Sequence, residues 1–191
     1  MAAVEPSTVI AGVVVVTPIV HGDARGVFVE SYRREWFPDG LEMVQGNRSD
    51  KAAGAVVGLH FHRHQSDYWY VTRGLARVVL HDLRRGSPTE AATFILDIGE
   101  ENHLGVRIPP GVAHGFAAVT DVTMTYLVDR YYDPADELGV RWDDPEVGAD
   151  WGLPAGVEPV LSGRDQANPS RAELAAAGGL PGTGQAGKAM V

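Results

Sequence analysis

The sequence predicts an all-β domain, an antiparallel sandwich or barrel. Seven short segments of strand composition follow one another between residues 54 and 129, at a spacing of roughly 8–12 residues and with turn signals between them. No long stretch repeats its apolar residues at the helical period of about 3.6 residues. We therefore expect a β core with only short peripheral helices.

Residues 8–40 contain two predicted strands and a short helical turn. Residues 8–16 are mostly β-branched and end at Thr17-Pro18, which predicts a strand closed by a proline. Val27–Ser31 alternates in the manner of a second strand. Arg33–Phe37, followed by Pro38-Asp39-Gly40, predicts a short helical turn and then a tight turn.

The central strands are expected where β-branched and aromatic residues cluster. Turn residues such as Arg73-Gly74 and Pro109-Pro110-Gly111 separate these clusters. The segments are Ala55–Phe61, Asp67–Thr72, Leu75–His81, Ala92–Leu96, Val106–Ile108, Gly115–Val119 and Val122–Asp129.

The C-terminal third differs in composition from the central strands. Beyond Tyr131, proline and aromatic residues predict ordered loops, and Ser170–Ala177 predicts one or two helical turns. Residues 178–191 are rich in glycine and alanine, which favours a flexible tail. We expect one domain over residues 1–177.

Composition excludes several classes of function. The chain of 191 residues has no cysteine, so disulfides, thiolate metal sites and cysteine nucleophiles are excluded. A net charge of −9 argues against nucleic acid as the main partner. No apolar run reaches the roughly 18–20 residues of a membrane span, and no secretory signal is evident, so we expect a cytoplasmic protein without a membrane partner.

Three histidines fall within five residues: His60, His62 and His64. In a strand, residues i and i+2 point to the same face, so the three imidazoles would share one side. Leu59 and Phe61 would form the apolar side. The histidine side is then either exposed to solvent, with no functional meaning, or lines the polar interior of a barrel.

The surrounding residues resemble the two cupin motifs. Gly54, the pair His60 and His62, then Asp67 and Gly74 follow the spacing of the first motif, with Asp67 where glutamate is usual. Pro109–His114 resembles the second motif. This resemblance implies a jelly-roll (cupin) barrel.

Ten segments extend the resemblance to a particular family and cover residues 9 to about 180. In order, they are Asp23–Glu30, Gln45–Asn47, Gly58–Phe61, Asp82–Thr89, Glu101–His103, Ile108–Phe116, Tyr131–Pro134, Arg141–Pro145, Asp150–Trp151 and Leu161–Asp165. The chain thereby resembles the dTDP-4-dehydrorhamnose 3,5-epimerases, which are jelly-roll homodimers of deoxysugar biosynthesis.

The resemblance implies epimerisation of a nucleotide-linked 4-keto-6-deoxy sugar at C3, at C5 or at both. A proton beside the ketone has a pKa near 20 against about 6.5 for imidazole, so transfer is uphill by roughly 18 kcal/mol. The site must therefore supply a base, stabilise the enolate oxygen and hold an acid on the opposite face. No redox cofactor is required. The residues that match these roles are His60 as the base, Asp165 as its orienting carboxylate and Tyr126 as the acid.

Further residues match the substrate-binding positions of the family. His114 would contact the sugar, paired with Asp82 on a neighbouring strand. Arg25 would bind phosphate through charge-assisted hydrogen bonds. The remaining positions implied for the nucleoside diphosphate sugar are Glu30, Gln45, Asn47 and one of Tyr131 or Tyr132.

Two positions depart from the family pattern. Val57 stands where the family commonly has arginine, and Asp67 stands where it has a lysine near the ketone oxygen. Loss of such an oxyanion stabiliser costs about 2.7–4 kcal/mol in comparable sites. Arg63 would restore one positive charge.

Asp67 also supports alternative functions. His60, His62, Asp67 and His114 reproduce the three-histidine, one-carboxylate set with which cupins bind iron, manganese, nickel or zinc. A metal-dependent enzyme would then be the function, and His60 could not be both ligand and base. A sugar-nucleotide 3,4-ketoisomerase and a non-catalytic binding paralogue are further alternatives.

Overall fold

The computed structural model describes residues 1–40, 42–154 and 156–183. Within that part of the chain the strands are β1 Ala3–Pro6, β2 Val14–Thr17, β3 Val20–Asp23, β4 Gly26–Val29, β5 Gln45–Lys51, β6 Val56–Phe61, β7 Asp67–Arg73, β8 Leu75–Asp82, β9 Thr93–Gly99, β10 Gly105–Ile108, β11 Val112–Ala118, β12 Val122–Val128 and β13 Leu138–Gly139. The α-helices are α1 Gly163–Ala167 and α2 Arg171–Ala176, and a 3₁₀ turn spans Arg34–Trp36.

These strands form two main antiparallel sheets and a separate hairpin. One sheet has the strand order β1-β2-β10-β7-β12-β5, and the other has the order β13-β6-β11-β8-β9. The pairs within both sheets are antiparallel, and β3 pairs with β4 in the hairpin. The expectation of an all-β antiparallel fold with short helices is confirmed.

The main core lies between the two sheets. Alternate residues of β8, namely Ala76, Val78 and Leu80, point into it and are fully buried. From the six-stranded sheet, Val71 and Met124 meet them in the same cluster. The period-two alternation of each strand thus places one face of each sheet in the shared interior.

The opposite face of the five-stranded sheet is also covered. Val79, between two inward residues of β8, packs in a second cluster with Trp151 and Leu180 from the C-terminal segment. Leu180 is 5% exposed, and the Arg85 amide donates a hydrogen bond to the Pro181 carbonyl. The folded part therefore continues to Thr183, six residues beyond the predicted end of the domain at residue 177. Residues 184–191 of that tail lie outside the described residues.

The predicted strand over residues 8–16 is wrong over its first part, since β2 begins only at Val14. The Ser7 hydroxyl accepts hydrogen bonds from the amides of Val9 and Ile10, which holds a turn. Gly12 has a φ of +82°, a conformation that ends extended structure. Ile10 is fully buried by this turn.

The two predicted helical segments are confirmed. Arg34–Trp36 forms the 3₁₀ turn, and α2 begins after Ser170. The Ser170 side chain and Glu173 form a capping box, in which each side chain bonds the other residue's amide. Neither α-helix of the described chain approaches the length and apolarity of a membrane span.

Candidate active site

A cavity of about 430 Å³ opens between the two sheets. The six-stranded sheet contributes Gln45, Asn47, Ser49, Lys51, Trp69 and Tyr126, and the five-stranded sheet contributes Val57, His60, His114 and Phe116. Glu137, from the segment after β12, and Arg164, from α1, also line the cavity. The cavity therefore holds groups that can donate and accept protons on two facing walls.

His60 forms a short hydrogen bond with Asp165. The distance from His60 Nε2 to Asp165 Oδ1 is 2.6 Å, and the carboxylate is almost fully buried. Ser162 caps α1 and donates its hydroxyl to the other carboxylate oxygen at 2.9 Å. Burial alone would raise the pKa of Asp165, but hydrogen bonds from His60, Ser162 and the Gly58 amide together with the His60 charge hold it below its usual value. The ionised carboxylate thus accepts the Nε2 proton of His60.

This pairing defines which nitrogen of His60 is free. With the proton on Nε2, the lone pair of a neutral imidazole is on Nδ1. Nδ1 lies 3.8 Å from Glu137 Oε1, which is longer than a hydrogen bond. Glu137 itself accepts a hydrogen bond from Arg164 at 3.0 Å. Nδ1 can therefore accept a proton from a bound molecule.

Tyr126 lies on β12, in the sheet opposite His60. Burial, followed by the negative charges of Asp67 and Glu137, raises the pKa of its phenol above the ordinary value of about 10. The hydroxyl is therefore protonated at neutral pH and can donate. A flat ligand between the sheets would have a base on one side and an acid on the other.

Four of the predicted substrate-binding residues line this cavity: Gln45, Asn47, His114 and Tyr132. Gln45 donates to Asn47 Oδ1 at 2.9 Å, and the Tyr132 amide donates to Gln45 Oε1 at 3.3 Å. Tyr131 is 74% exposed and lines a separate depression beside His64. Of the two tyrosines, the structure places Tyr132 in the cavity.

The other three predicted binding residues lie elsewhere in the same chain. Arg25 forms an ion pair with Asp23 at the tip of the β3–β4 hairpin. Glu30 lies 3.5 Å from Arg33, on an exposed segment. Arg63 donates a hydrogen bond to the Gly179 carbonyl at 2.6 Å, so its guanidinium group contacts the C-terminal segment and not the cavity.

The predicted pairing of His114 with Asp82 is wrong. His114 Nδ1 lies 3.0 Å from the Val112 carbonyl, and Asp82 instead accepts hydrogen bonds from Arg84, Ser87 and Thr89. Asp82 is in register with Val112, two residues before His114, so its side chain is in a different layer of the sheet. Burial lowers the pKa of His114 to about 4, so its ring is neutral at neutral pH.

Three of the four residues of the alternative metal set come together. His62, Asp67 and His114 are buried, and one potential ligand atom from each lies within 4.8 Å of the others. His60 is not in this group, and its Nε2 is hydrogen-bonded to Asp165. Within the described chain, these three residues are the group with the composition of a metal site.

The sequence interpretation missed several residues of the cavity. Ser49 and Lys51 follow Gln45 and Asn47 along β5, and the alternation of this strand could have indicated them. Glu137 lies in the loop before β13 and Arg164 lies in the five-residue helix α1, and both segments are too short for periodicity to give a signal. Val57 and Asp67, the two departures noted above, both line the cavity.

Comparison with known proteins shows consistent similarity over most of the chain. The model of a family described as dTDP-4-dehydrorhamnose 3,5-epimerase matches residues 7–173. A protein of that name from Sinorhizobium fredii is 36% identical over 173 residues, which are 86% of this chain and 88% of the relative.

Solved structures agree with this result. The crystal structure of NovW, a 4-keto-6-deoxy sugar epimerase from the novobiocin biosynthetic gene cluster of Streptomyces spheroides, is 36% identical with a TM-score of 0.90, and the match covers 97% of this chain and 95% of that one. ChmJ, a 3'-monoepimerase from Streptomyces bikiniensis in complex with dTDP-quinovose, is 32% identical with a TM-score of 0.87, covering 95% and 94%.

Proposed function

This chain belongs to the dTDP-4-dehydrorhamnose 3,5-epimerase family, and on that premise we propose that it epimerises a dTDP-linked 4-keto-6-deoxy sugar at C3, at C5 or at both. The enzyme is an isomerase, and the proton transfers use groups of the chain itself. The observation that carries the proposal is the position of His60 and Tyr126 in facing sheets of one cavity.

The reaction follows from these two groups. Nδ1 of His60 takes a proton from a carbon beside the C4 ketone, and the C–H electron pair moves into an enolate whose charge is on the C4 oxygen. The Asp165 carboxylate stabilises the imidazolium that forms, because it accepts the hydrogen bond from Nε2 of the same ring. The Tyr126 hydroxyl then protonates the same carbon from the other face, which inverts its configuration. Solvent returns a proton to Tyr126 and removes one from His60.

We propose a nucleoside diphosphate sugar as the ligand, with its nucleotide beside Gln45, Asn47 and Tyr132. These residues offer amide groups at the start of β5 and a hydroxyl group in the segment after β12. A structural relative binds dTDP-quinovose, which supports this ligand class. Because a diphosphate does not cross an apolar bilayer, we also propose that the protein works in the cytoplasm.

We further propose that the protein is a homodimer. Val27 and Phe28 of the β3–β4 hairpin are 66% and 67% exposed, and β1 is an edge strand of its sheet. Both features are favourable surfaces for a second copy. In such a dimer the hairpin of one copy would bring Arg25 and Glu30 to the ligand of the other, since neither residue lines the cavity of its own chain. Light scattering on the chain and on Phe28→Asp tests this, because the variant should be monomeric.

The proposed function is tested by solvent deuterium wash-in. A dTDP-4-keto-6-deoxy sugar in D₂O should gain deuterium at C3 or C5 in the presence of the chain, as followed by proton NMR. His60→Asn should slow this exchange by at least about 10²-fold. His64→Asn is the matched control, because His64 is exposed and outside the main cavity. Exchange that is unchanged in His60→Asn would contradict the assigned base.

A further inference from the structure

His62, Asp67 and His114 converge on one buried point of the cavity wall. His62 follows the end of β6, Asp67 begins β7 and His114 lies on β11. His62 Nε2 is 4.0 Å from Asp67 Oδ1, and His114 Nε2 is 4.0 Å from Asp67 Oδ2. All three side chains are less than 10% exposed.

The hydrogen bonds of the two histidines determine where their protons are. His62 Nδ1 lies 2.9 Å from the Asp136 carbonyl, and His114 Nδ1 lies 3.0 Å from the Val112 carbonyl. A carbonyl oxygen only accepts, so each Nδ1 carries a proton and donates it. Both Nε2 atoms, the ring nitrogens left over from these hydrogen bonds, lie on the side of Asp67.

The carboxylate is also held in a fixed orientation. Gln65 Nε2 donates to Asp67 Oδ1 at 2.8 Å, and Trp69 Nε1 donates to Asp67 Oδ2 at 3.1 Å. Imidazoles that donate Nδ1–H to carbonyls, beside a carboxylate that is itself hydrogen-bonded, form the arrangement that surrounds protein metal ligands. The two imidazoles and the carboxylate are therefore oriented before any metal ion binds.

An internal ion pair does not account for this arrangement. At 4.0 Å neither Nε2 atom is close enough to the carboxylate to form a hydrogen bond with it. Two imidazole nitrogens and one carboxylate therefore face a common point, where a cation would bind all three. Bonds of about 2.1 Å require ligand atoms about 3.0–3.4 Å apart, so small side-chain movements close the site.

We propose that His62, Asp67 and His114 form a two-histidine, one-carboxylate site for a divalent transition metal ion. Imidazole nitrogen favours zinc, copper, iron or nickel over magnesium or calcium. His60 is not a ligand, because it does not belong to the group of side chains whose ligand atoms lie within 4.8 Å of one another. The metal site and the unligated base are therefore compatible, whereas a set of four ligands including His60 would exclude that base.

A role for the ion follows, and this role rests on the proposed function. Asp67 stands where the family resemblance places a lysine, so the side chain there is an anion rather than a cation. A divalent ion would supply the positive charge that stabilises the C4 oxygen as the enolate forms. His60, Tyr126 and Asp165 keep the proton-transfer roles given above.

Metal binding is tested on the full chain without substrate. Elemental analysis of the purified protein should find about one transition metal ion per chain. After removal of metal with a chelator, titration with Co²⁺ should produce visible d–d absorption that saturates at one ion per chain. Asp67→Asn and His62→Gln should each weaken Co²⁺ binding by at least about 100-fold.

Two matched variants control the assignment. His64→Gln removes an exposed histidine near the site, and His60→Asn removes the base, and both should bind Co²⁺ as the unmodified chain does. Circular dichroism and thermal melting should show that each variant is folded; if Asp67→Asn does not fold, His62→Gln decides. Absence of Co²⁺ binding, or binding that survives in the folded ligand variants, would overturn the proposal.

Deuterium wash-in separates the metal site from the proposed function. Exchange that is lost in the chelated chain and restored by the metal supports both proposals. Full exchange in the chelated chain overturns the role of the ion but leaves the epimerase. Specific Co²⁺ binding without exchange in either form overturns the epimerase but leaves the metal site.

Discussion

The side chains of His60 and Asp165 meet at 2.6 Å although the two residues are 105 positions apart. His60 is on a strand of the five-stranded sheet, and Asp165 is in a five-residue helix. Ser162 caps the N-terminus of this helix and also donates a hydrogen bond to the Asp165 carboxylate. These two contacts fix the carboxylate in its orientation toward His60. The pair therefore connects the five-stranded sheet to the C-terminal segment at the residue that we propose as the catalytic base.

Asp165→Asn should lower kcat by about 10²–10³-fold with little change in KM. The amide carries no charge, so it does not stabilise the imidazolium form of His60. Asp165 is a positioning residue in this account, and the separate measurement of kcat and KM distinguishes that role from loss of structure.

Asp143→Asn is the control for this variant. Asp143 is partly exposed and pairs with Arg141 on the surface, away from the cavity. It should retain the activity of the unmodified chain. If Asp165→Asn shows the same kcat as Asp143→Asn, the carboxylate has no part in the reaction.

Tyr126→Phe should separate proton abstraction from inversion. His60 can still remove the proton, and the imidazolium can return a solvent deuteron to the same face. Deuterium should therefore enter the sugar with its configuration retained, while epimer formation falls by at least about 10²-fold. Proton NMR of the sugar measures both quantities at once.

Tyr70→Phe provides the comparison for Tyr126→Phe. Tyr70 lies on β7 in the cluster on the outer side of the six-stranded sheet, and its hydroxyl is 3.4 Å from His103. It should form the epimer at the normal rate. Normal epimer formation in Tyr126→Phe would show that another group, or water, protonates the second face.

The sequence predicted the central strands, which are rich in β-branched and aromatic residues, but it did not predict β5, which has no apolar side chain on either face. All seven central strands form near their predicted bounds, since β-branched residues favour them. β5 was missed because Gln45, Asn47, Ser49 and Lys51 face the cavity rather than a core. Residues 8–13 were wrong because a side-chain hydrogen bond and a glycine turn override their strand composition.

The candidate site could be predicted only in part. His60 and Tyr126 were proposed from the family resemblance, and the structure brings both to one cavity. Glu137 and Arg164 form an ion pair between segments that the sequence does not relate by period or motif. Arg63 was expected to replace a missing charge, but the C-terminal segment that binds it carries no such signal.

Asp82→Ala should lower the free energy of unfolding by about 3 kcal/mol. Asp82 is fully buried and bonds Arg84, Ser87 and Thr89, and Arg84 in turn donates to the Ala11 carbonyl. Loss of the carboxylate leaves the Arg84 charge without its partner. Urea denaturation at pH 7 measures the change, and Asp143→Ala should alter it by no more than about 0.5 kcal/mol.

The same residue gives a pH dependence. Burial would raise the pKa of Asp82, but the hydrogen bonds from Arg84, Ser87 and Thr89 hold it below its usual value. Stability from this group is therefore present above the unfolded pKa near 3.9 and is lost as pH falls through the folded pKa. Asp82→Ala should show a flatter loss of stability below pH 4 than the unmodified chain, and equal slopes would contradict this.

His81 should make stability fall between about pH 6.5 and pH 4. Its ring is fully buried, and burial, followed by the charge of Arg171, lowers its pKa to about 4, against the opposing effect of Asp82, Asp144 and Glu146. Thr93 donates to the Val147 carbonyl and so accepts the Nδ1 proton of His81, while Nε2 has no partner in the described chain. Below pH 6.5 the unfolded chain binds a proton that the folded ring does not, so stability decreases as pH falls.

The free energy of unfolding should fall by at most about 3 kcal/mol over this pH interval. This value comes from a difference of roughly 2.5 pKa units between the unfolded and folded states, at about 1.36 kcal/mol per unit. His81→Leu should remove that part of the slope in urea denaturation between pH 7.5 and 4.5, whatever its effect on stability at pH 7.5. His64→Gln should keep the slope of the unmodified chain, because His64 is exposed in the folded state. A slope that persists in His81→Leu would assign the acid sensitivity to another buried group, since the leucine takes up no proton in either state.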